Sequence, residues 1–310
     1  ICPNWEKFIN DTFSTDFARQ LVKAMFRWVL APKKNEKFKC EAIFQLQGAP
    51  GMGKGTLLDV LMGLLGENSY AIFDSQSLES KEGRHDYLSK QALINPDYKG
   101  HFSSKAIGAL NAIASNEPVS VRSLYKNGNN ARLGAVVVMA FNETPRVSQD
   151  SKDGLARRSV LLPFKNPPKV KDKSLSGTLA SELSGIFNWA WSIHEDVAID
   201  IIDASRLHED FDEERKQTLQ ESNTVYGWLT DKHPDGFLEP SALTGLYQFY
   251  RQWCDEVGLK HPLGRSNFGK ELIKGGAKTV CDKRTGKHYY KIPPSDQLNV
   301  QGLMGLTRPK

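Results

Sequence analysis

What the chain lacks narrows it first. It has four cysteines, Cys2, Cys40, Cys254 and Cys281, set far apart, with no CxxC pair and no clustered histidine. That spacing argues against a zinc site and against a disulfide framework, and favours a reducing, cytoplasmic setting. No apolar run approaches the length of a membrane span, so no membrane partner is expected. The opening ICPNW has none of the features of a signal peptide, and it lacks an initiator Met, so a longer parent chain is expected. Neither sign of charge dominates: 41 Lys and Arg face 36 Asp and Glu, a net +5. A balance this mild permits a nucleic-acid partner without requiring one.

What remains is an ordinary globular composition. With 310 residues, 39% hydrophobic and 25% charged, the chain has room for two domains and a sizeable core. Its centre of organisation is GAPGMGKGT, residues Gly48 to Thr56. An apolar run, Ala42 to Leu46, precedes it, and a helix-like run, Leu57 to Leu65, follows it. Strand, glycine turn and helix start are what a phosphate-binding loop needs. Glycines let the backbone turn tightly and approach an anion, and N–H groups at the helix start then face the phosphates. Gly48, Pro50, Gly51, Met52, Gly53, Lys54, Gly55 and Thr56 are the expected nucleotide-binding residues, with Lys54 reaching the β- and γ-phosphates. The usual loop reads GK[ST], with its hydroxyl on Mg²⁺; here Gly55 holds that place and Thr56 comes next. The metal contact can therefore fall to Thr56, to water or to an acid elsewhere. The string also resembles the adenylate-kinase loop, so a motor ATPase and a nucleotide phosphotransferase both stand at this point.

Later pieces bear on that choice. Trp5 to Leu30 carries apolar residues at helical spacing and reads as a core-facing stripe, with Asp11 or Ser14 to Asp16 able to cap a second helix. ALINPD, residues Ala92 to Asp97, is an apolar run ending in an acid that can hold Mg²⁺ or orient water. Asp97 has no acidic neighbour, and Asp74, after the run Tyr70 to Phe73, competes with it. Ser75 to Arg84 reads as a loop. Ser104 to Asn116 reads as a helix. Glu117 to Arg132 alternates around an Asn-Gly turn and reads as a hairpin. Arg122, Lys126 and Arg132 lie on or near it, suited either to a phosphate backbone or to solvent. Leu133 to Phe141 is a buried strand ending in Asn142, an amide placed to sense a γ-phosphate or to form a turn before Pro145. Arg157 and Arg158 precede another strand, Val160 to Phe164, and are either surface charge or an arginine finger.

The spacing predicts one helix over Leu175 to Ile193 and a charged helix over Ala204 to Glu221. From Thr224 the pattern is three helices, the third capped by Ser266, followed by a hairpin with Lys283, Arg284 and Lys287 at its tip. That order describes a winged helix, a module that binds nucleic acid or docks on protein. The expected domains are a helical N-terminal segment (1–38), an α/β P-loop core (39–195), a helical linker (196–223), the winged-helix-like part (224–294) and a tail (295–310).

Taken together, GAPGMGKGTLLDVLMGLLG, ALINPD, NEPVSVRSLYKN, VVVMAFNETP and GLARRSVLLPF, with the C-terminal ALTGLYQFYRQWCDEVGL and FGKELIKGG, resemble the helicase part of phage and plasmid primase-helicases. These belong to helicase superfamily 3 and are related to poxvirus-type NTPases. The resemblance covers most of the chain. It implies an AAA+-like P-loop ATPase core with a C-terminal winged helix, ATP and Mg²⁺ as cofactors, single-stranded DNA as partner, and a homo-hexameric ring with ATP between subunits. It implies replication of a phage or plasmid, in a bacterial or virus-infected cell, with a primase or polymerase domain upstream. By the same resemblance Lys54 binds ATP, Asp97 is the Mg²⁺ and water acid, Asn142 the sensor, and Arg157 or Arg158 the finger. Arg122 and Lys126 face DNA. The chain departs from the pattern at Gly55 and in the missing acidic pair. A replication initiator or loader that binds DNA without unwinding is the alternative. A small-molecule kinase fits less well, because helix precedes the loop and a winged-helix-like module ends the chain.

Overall fold

The computed structural model describes residues 1–31, 37–123, 128–143, 145–147, 152–168, 172, 174–237, 239–259, 262–282, 284 and 288–306. Its contacts divide the chain into two units, Ile1–Asp212 and Glu213–Lys310. The first is a mixed α/β unit. It opens with α1 (Pro3–Thr12) and α2 (Asp16–Leu30), separated by an extended Phe13 and capped at α2 by Thr15, whose hydroxyl accepts from Ala18 N–H. β1 (Ile43–Gln47) leads through the glycine turn to α3 (Lys54–Leu65) and then β2 (Tyr70–Ile72). The stretch expected as a loop after Asp74 instead forms two short helices, α4 (Ser75–Glu79) and α5 (Lys81–His85). The signal for them was present as capping residues rather than periodicity: Asp74 and Ser77 close a capping box, and Ser80 accepts from Gly83 N–H.

β3 (Ala92–Asn95), β4 (His101–Phe102), α6 (Ser104–Ala114), β5 (Val119–Val121), β6 (Asn129–Ala131), β7 (Val136–Phe141), β8 (Arg146–Val147), α7 (Lys152–Arg158) and β9 (Ser159–Pro163) follow. Five strands form a parallel sheet in the order β2-β3-β7-β1-β9. All six residues of β7 are buried, as expected for a central parallel strand covered on both faces. One face packs on a core that includes α1, α2 and α3; the other packs on Leu78, Tyr87 and α6. The expected hairpin exists as β5 against β6, in the register Val119 with Ala131 and Val121 with Asn129.

The unit ends with α8 (Leu175–Ser181), α9 (Leu183–Trp191) and α10 (Glu195–Ser205). The single helix expected over Leu175 to Ile193 is thus broken at Glu182. Its carboxylate accepts from the backbone N–H groups of Asn4 and Trp5 (3.2 and 3.0 Å) and from Asn4 Nδ2 (2.7 Å), closing the open N-terminus of α1. Some burial works against the charge, but those donors win and hold Glu182 below the usual carboxylate range. α10 also joins this core, through Ala198 and Ile202.

The second unit holds α11 (Asp212–Ser222), α12 (Thr224–Lys232), β10 (Ser241–Ala242), α13 (Leu243–Glu256), α14 (Arg265–Lys274), β11 (Lys278–Cys281), β12 (His288–Lys291) and α15 (Val300–Leu303). Its sheet runs β10-β12-β11, all antiparallel. Trp228, Tyr250 and Phe268 centre its core. Ser266 does not cap α14; it lies inside the helix, and Gly264 is the residue before its first turn. The segment expected as a tail folds back over residues 295–306, burying Leu298 and Leu303 in the core. Among the described residues no helix is long and apolar enough to cross a membrane.

Candidate nucleotide-binding site

The glycine turn leaves the carboxyl end of β1, a strand flanked on both sides in the sheet. In open α/β sheets that end is where ligands bind. Each glycine has a separate reason. A Cβ on Gly48 would sit 2.5 Å from the carbonyl oxygen of Phe164, just past β9, so only glycine lets the two chains pass. Gly51 (φ +81°) and Gly53 (φ +99°) take left-handed conformations, and Gly53 is the residue before the first turn of α3. The backbone N–H groups at the start of α3 are thereby turned to the cleft mouth, where an anion is favoured.

The cleft there has a volume of about 1520 Å³ and is lined by Pro50 to Thr56, Asp97 and Asn142, with α1 opposite. Lys54 is buried at its floor. Its Nζ donates to the carbonyls of Gly48 and Ala49 (the latter 2.9 Å) and to Asn142 Oδ1 (2.9 Å). Burial pushes the Lys54 pKa below its ordinary value, and the Asp97 carboxylate opposes that shift. The ammonium therefore has three oxygens to leave, and phosphate oxygens carrying full charge are stronger acceptors than any of them. Asn142 lies at the end of β7, beside β1, so the amide and the loop lysine meet because their strands are hydrogen-bonded neighbours.

Asp97 reaches the cleft because Asn95 ends β3: Asn95 Oδ1 accepts from Asp97 N–H (3.1 Å) while its Nδ2 donates to Phe73 O (2.7 Å). Lys99 Nζ lies 2.7 Å from the Asp97 carboxylate, and both side chains are exposed. The competitor Asp74 does not line the cleft; its carboxylate accepts from Ser77 N–H (2.7 Å) and Ser77 Oγ (2.8 Å), bonds that hold its pKa low. Among the described residues no group of three or more His, Cys, Asp or Glu forms a metal cluster. A cation here would rest on Thr56, Asp97 and the nucleotide's own phosphates.

The remaining site residues lie elsewhere. Arg157 and Arg158 end α7, and Ser159 pairs with Ile43 at the start of β1. They thus sit at the opposite end of the strands from the glycine turn, about 17 Å away along the strand direction. Arg158 is buried: it donates through Nε and Nη2 to Ser115 Oγ (3.0 and 2.8 Å) and lies 2.7 Å from the Glu41 carboxylate. Arg157 is 59% exposed and only 3.9 Å from the same carboxylate. Arg122 pairs with Glu82 of α5 and is half exposed. Arg132 donates to the carbonyl of the buried Asn116, itself in a left-handed conformation. Arg284 is exposed in the β11–β12 connection, where its N–H donates to Asp282 Oδ1 (2.8 Å). Lys126 and Lys283 lie outside the described residues.

The reading of residues 5–30 as one core stripe missed the second face of α1. Asn4, Lys7, Phe8, Asp11 and Thr12 line the cleft, joined by Asn166, Pro167 and Pro168. The signal was there in the spacing i, i+3, i+4, i+7, i+8, but it is mostly polar and so looks like an ordinary solvated face.

Comparison with known proteins adds a match to a family model over part of the chain, and a fold. Residues 46–158 match a family of unknown function, DUF5906. A search of curated protein sequences finds no match. Among solved structures, the A-form apo structure of the NrS-1 C-terminal region is 14% identical, with a TM-score of 0.53 over 94% of this chain and 76% of that one. A second A-form structure, of NrS-1 residues 305–718, is 13% identical, with a TM-score of 0.50 over 94% and 75%. The chain shares that fold. A JCV helicase is also matched, at 12% identity over 83% of this chain and 66% of that one, but its TM-score of 0.29 bears no weight.

Proposed function

We propose that the chain is an ATP-dependent DNA helicase of the superfamily 3 type, a homo-hexameric ring motor on single-stranded DNA. The observation that carries the reading is the meeting of Lys54 Nζ and Asn142 Oδ1 at 2.9 Å in a cleft that Asp97 and Thr56 also line. A phosphate-binding lysine, an amide sensor and an acid converge there from three parallel strands. The loop N–H groups and Lys54 bind the β- and γ-phosphates; Asp97 and Asn142 orient the attacking water. Thr56, Asp97 and the phosphates would hold a Mg²⁺, which would neutralise charge on the transferring group.

The proposed DNA-facing parts belong to separate units. In the first unit, the hairpin with Arg122 and Arg132 faces the strand, and Lys126, between them in sequence, is proposed as a further DNA contact. Arg132 serves mainly to hold Asn116. In the second unit, the order helix, strand, two helices, two strands supports a winged helix, with Arg284 at the wing and Lys283 its neighbour in sequence. An upstream primase or polymerase domain and a replicative role rest on the sequence resemblance.

The deciding experiment is steady-state ATP hydrolysis with and without single-stranded DNA. DNA raises the rate several-fold in a motor. No stimulation overturns the motor reading and favours a kinase. A second reading, a nucleotide-gated initiator or loader, is favoured by Gly55 and the missing acidic pair; it predicts ATP binding, DNA binding and no strand displacement.

Gly55 gives a direct check on the metal. A Cβ there meets nothing within 4 Å, so Gly55→Ser fits without strain and places a hydroxyl where the usual loop has one. The Mg²⁺ concentration for half-maximal hydrolysis falls several-fold in this variant. Helix stability does not fall, since glycine inside a helix costs about 0.5–1 kcal/mol. An unchanged or raised Mg²⁺ requirement removes Gly55 from the account of metal use.

A further inference from the structure

We infer that α1 is the wall that receives the nucleoside half of the bound nucleotide, with Phe8 as the contact for the base. The inference rests on the nucleotide reading of the cleft. Phosphates on the loop fix one end of a nucleotide, and its ribose and base must lie along the rest of the cleft. The volume of about 1520 Å³ exceeds the roughly 300–1,000 Å³ usual for a small-molecule site, so the space beyond the phosphates is ample.

The wall has the chemistry for a base. Phe8 is only partly buried and lines the cleft, and its ring edge lies 3.2 Å from where a Cβ on Gly53 would be. The ring thus flanks the loop beside Gly53, the residue before Lys54. Pro167, Pro168 and Leu175 give further apolar surface, while Lys7, Asp11 and Asn166 offer polar groups. A planar base between an aromatic ring and apolar side chains, with a few polar groups fixing its orientation, is the usual composition of such a site.

The wall is also held in place. Trp5, one turn from Phe8, is fully buried against Phe26 and Trp189 at ring distances of 5.2 and 5.5 Å. Glu182 ties down the first N–H groups of α1. Asn166 Nδ2 donates to Thr12 O (3.1 Å), joining the 166–168 segment to the end of the helix. Both ends of the helix are thereby fixed, which holds its cleft-side face in place.

The test compares two probes, ATP and inorganic tripolyphosphate, each titrated with Mg²⁺ by calorimetry into wild type, Phe8→Ala and Phe8→Leu. Tripolyphosphate reports the loop alone; ATP reports loop plus wall. Phe8→Ala weakens ATP about tenfold, in line with loss of one base–aromatic stack, and leaves tripolyphosphate affinity unchanged. Phe8→Leu keeps the packing against Gly53 and weakens ATP in the same direction, so the test stands if the alanine variant does not fold. ATP affinity unchanged in both variants overturns the inference. Equal weakening of both probes also overturns it, since Phe8 would then act only by propping the loop. If wild type binds neither probe, the nucleotide reading itself falls.

Discussion

Lys54→Ala lowers ATP turnover by about a hundredfold or more, while the melting temperature stays close to wild type. The size follows from what the ammonium does. It lies on the cleft floor, buried, within reach of where the transferring phosphate oxygens must sit. Removing one preorganised donor from a developing negative charge costs about 10²–10³ in rate. The fold is spared because the three oxygens Lys54 releases belong to Gly48, Ala49 and Asn142, none of them a buried residue, so water can take its place. Phosphate release under saturating ATP, with a thermal melt of the same sample, checks both halves. Turnover within tenfold of wild type would sink the assignment of Lys54. Asn142→Ala tests the partner: it frees the lysine from one oxygen, so ATP binding survives and turnover falls. An amide that served only as a turn would leave turnover alone.

How far the site was legible in the sequence depends on where its information was stored. The glycine turn, Lys54, Asp97 and Asn142 each end or follow a strand, so a local pattern located them, and the sheet then brought them together. The order β2-β3-β7-β1-β9 was not readable, because pairing partners such as Ile43 and Ser159 lie more than a hundred residues apart and no local pattern names them. Asp74 illustrates the limit. Its sequence context matched that of Asp97, an acid after an apolar run, and only the capping bonds to Ser77 show where its carboxylate is used. Glu182 illustrates it again: helical periodicity runs on across it, but its side chain is used 178 residues away, at the start of α1. The cleft face of α1 stayed hidden for a third reason. Its residues look solvated one by one, and only the fold shows that the solvent they face is the mouth of the loop.

Arg157→Ala and Arg158→Ala, adjacent and alike in sequence, separate into a kinetic and a structural variant. Arg158 is held by Ser115 and Glu41, and its side chain is nine-tenths buried. Its removal strands a half-buried carboxylate. Breaking such a pair costs about 3–5 kcal/mol in a dry interior, and the low end applies because Glu41 retains some solvent. The variant is therefore less stable by about 3 kcal/mol, read as a lower denaturant midpoint, and its turnover loss tracks the unfolded fraction. Arg157 projects to solvent, beyond reach of its own cleft, with only a long contact to Glu41. Its loss leaves the midpoint unchanged. If a second copy brings Arg157 to a neighbour's transferring phosphate, turnover falls by about a thousandfold, the lower range for an arginine supplied in trans. Mixing settles the direction of action. Lys54→Ala contributes an intact Arg157 and no working cleft; Arg157→Ala contributes a working cleft and no finger. Each is nearly inactive alone, and combined they recover turnover at junctions where one supplies what the other lacks. No recovery on mixing, or a near-normal rate for Arg157→Ala, removes Arg157 from catalysis and leaves it as a surface charge beside a structural arginine.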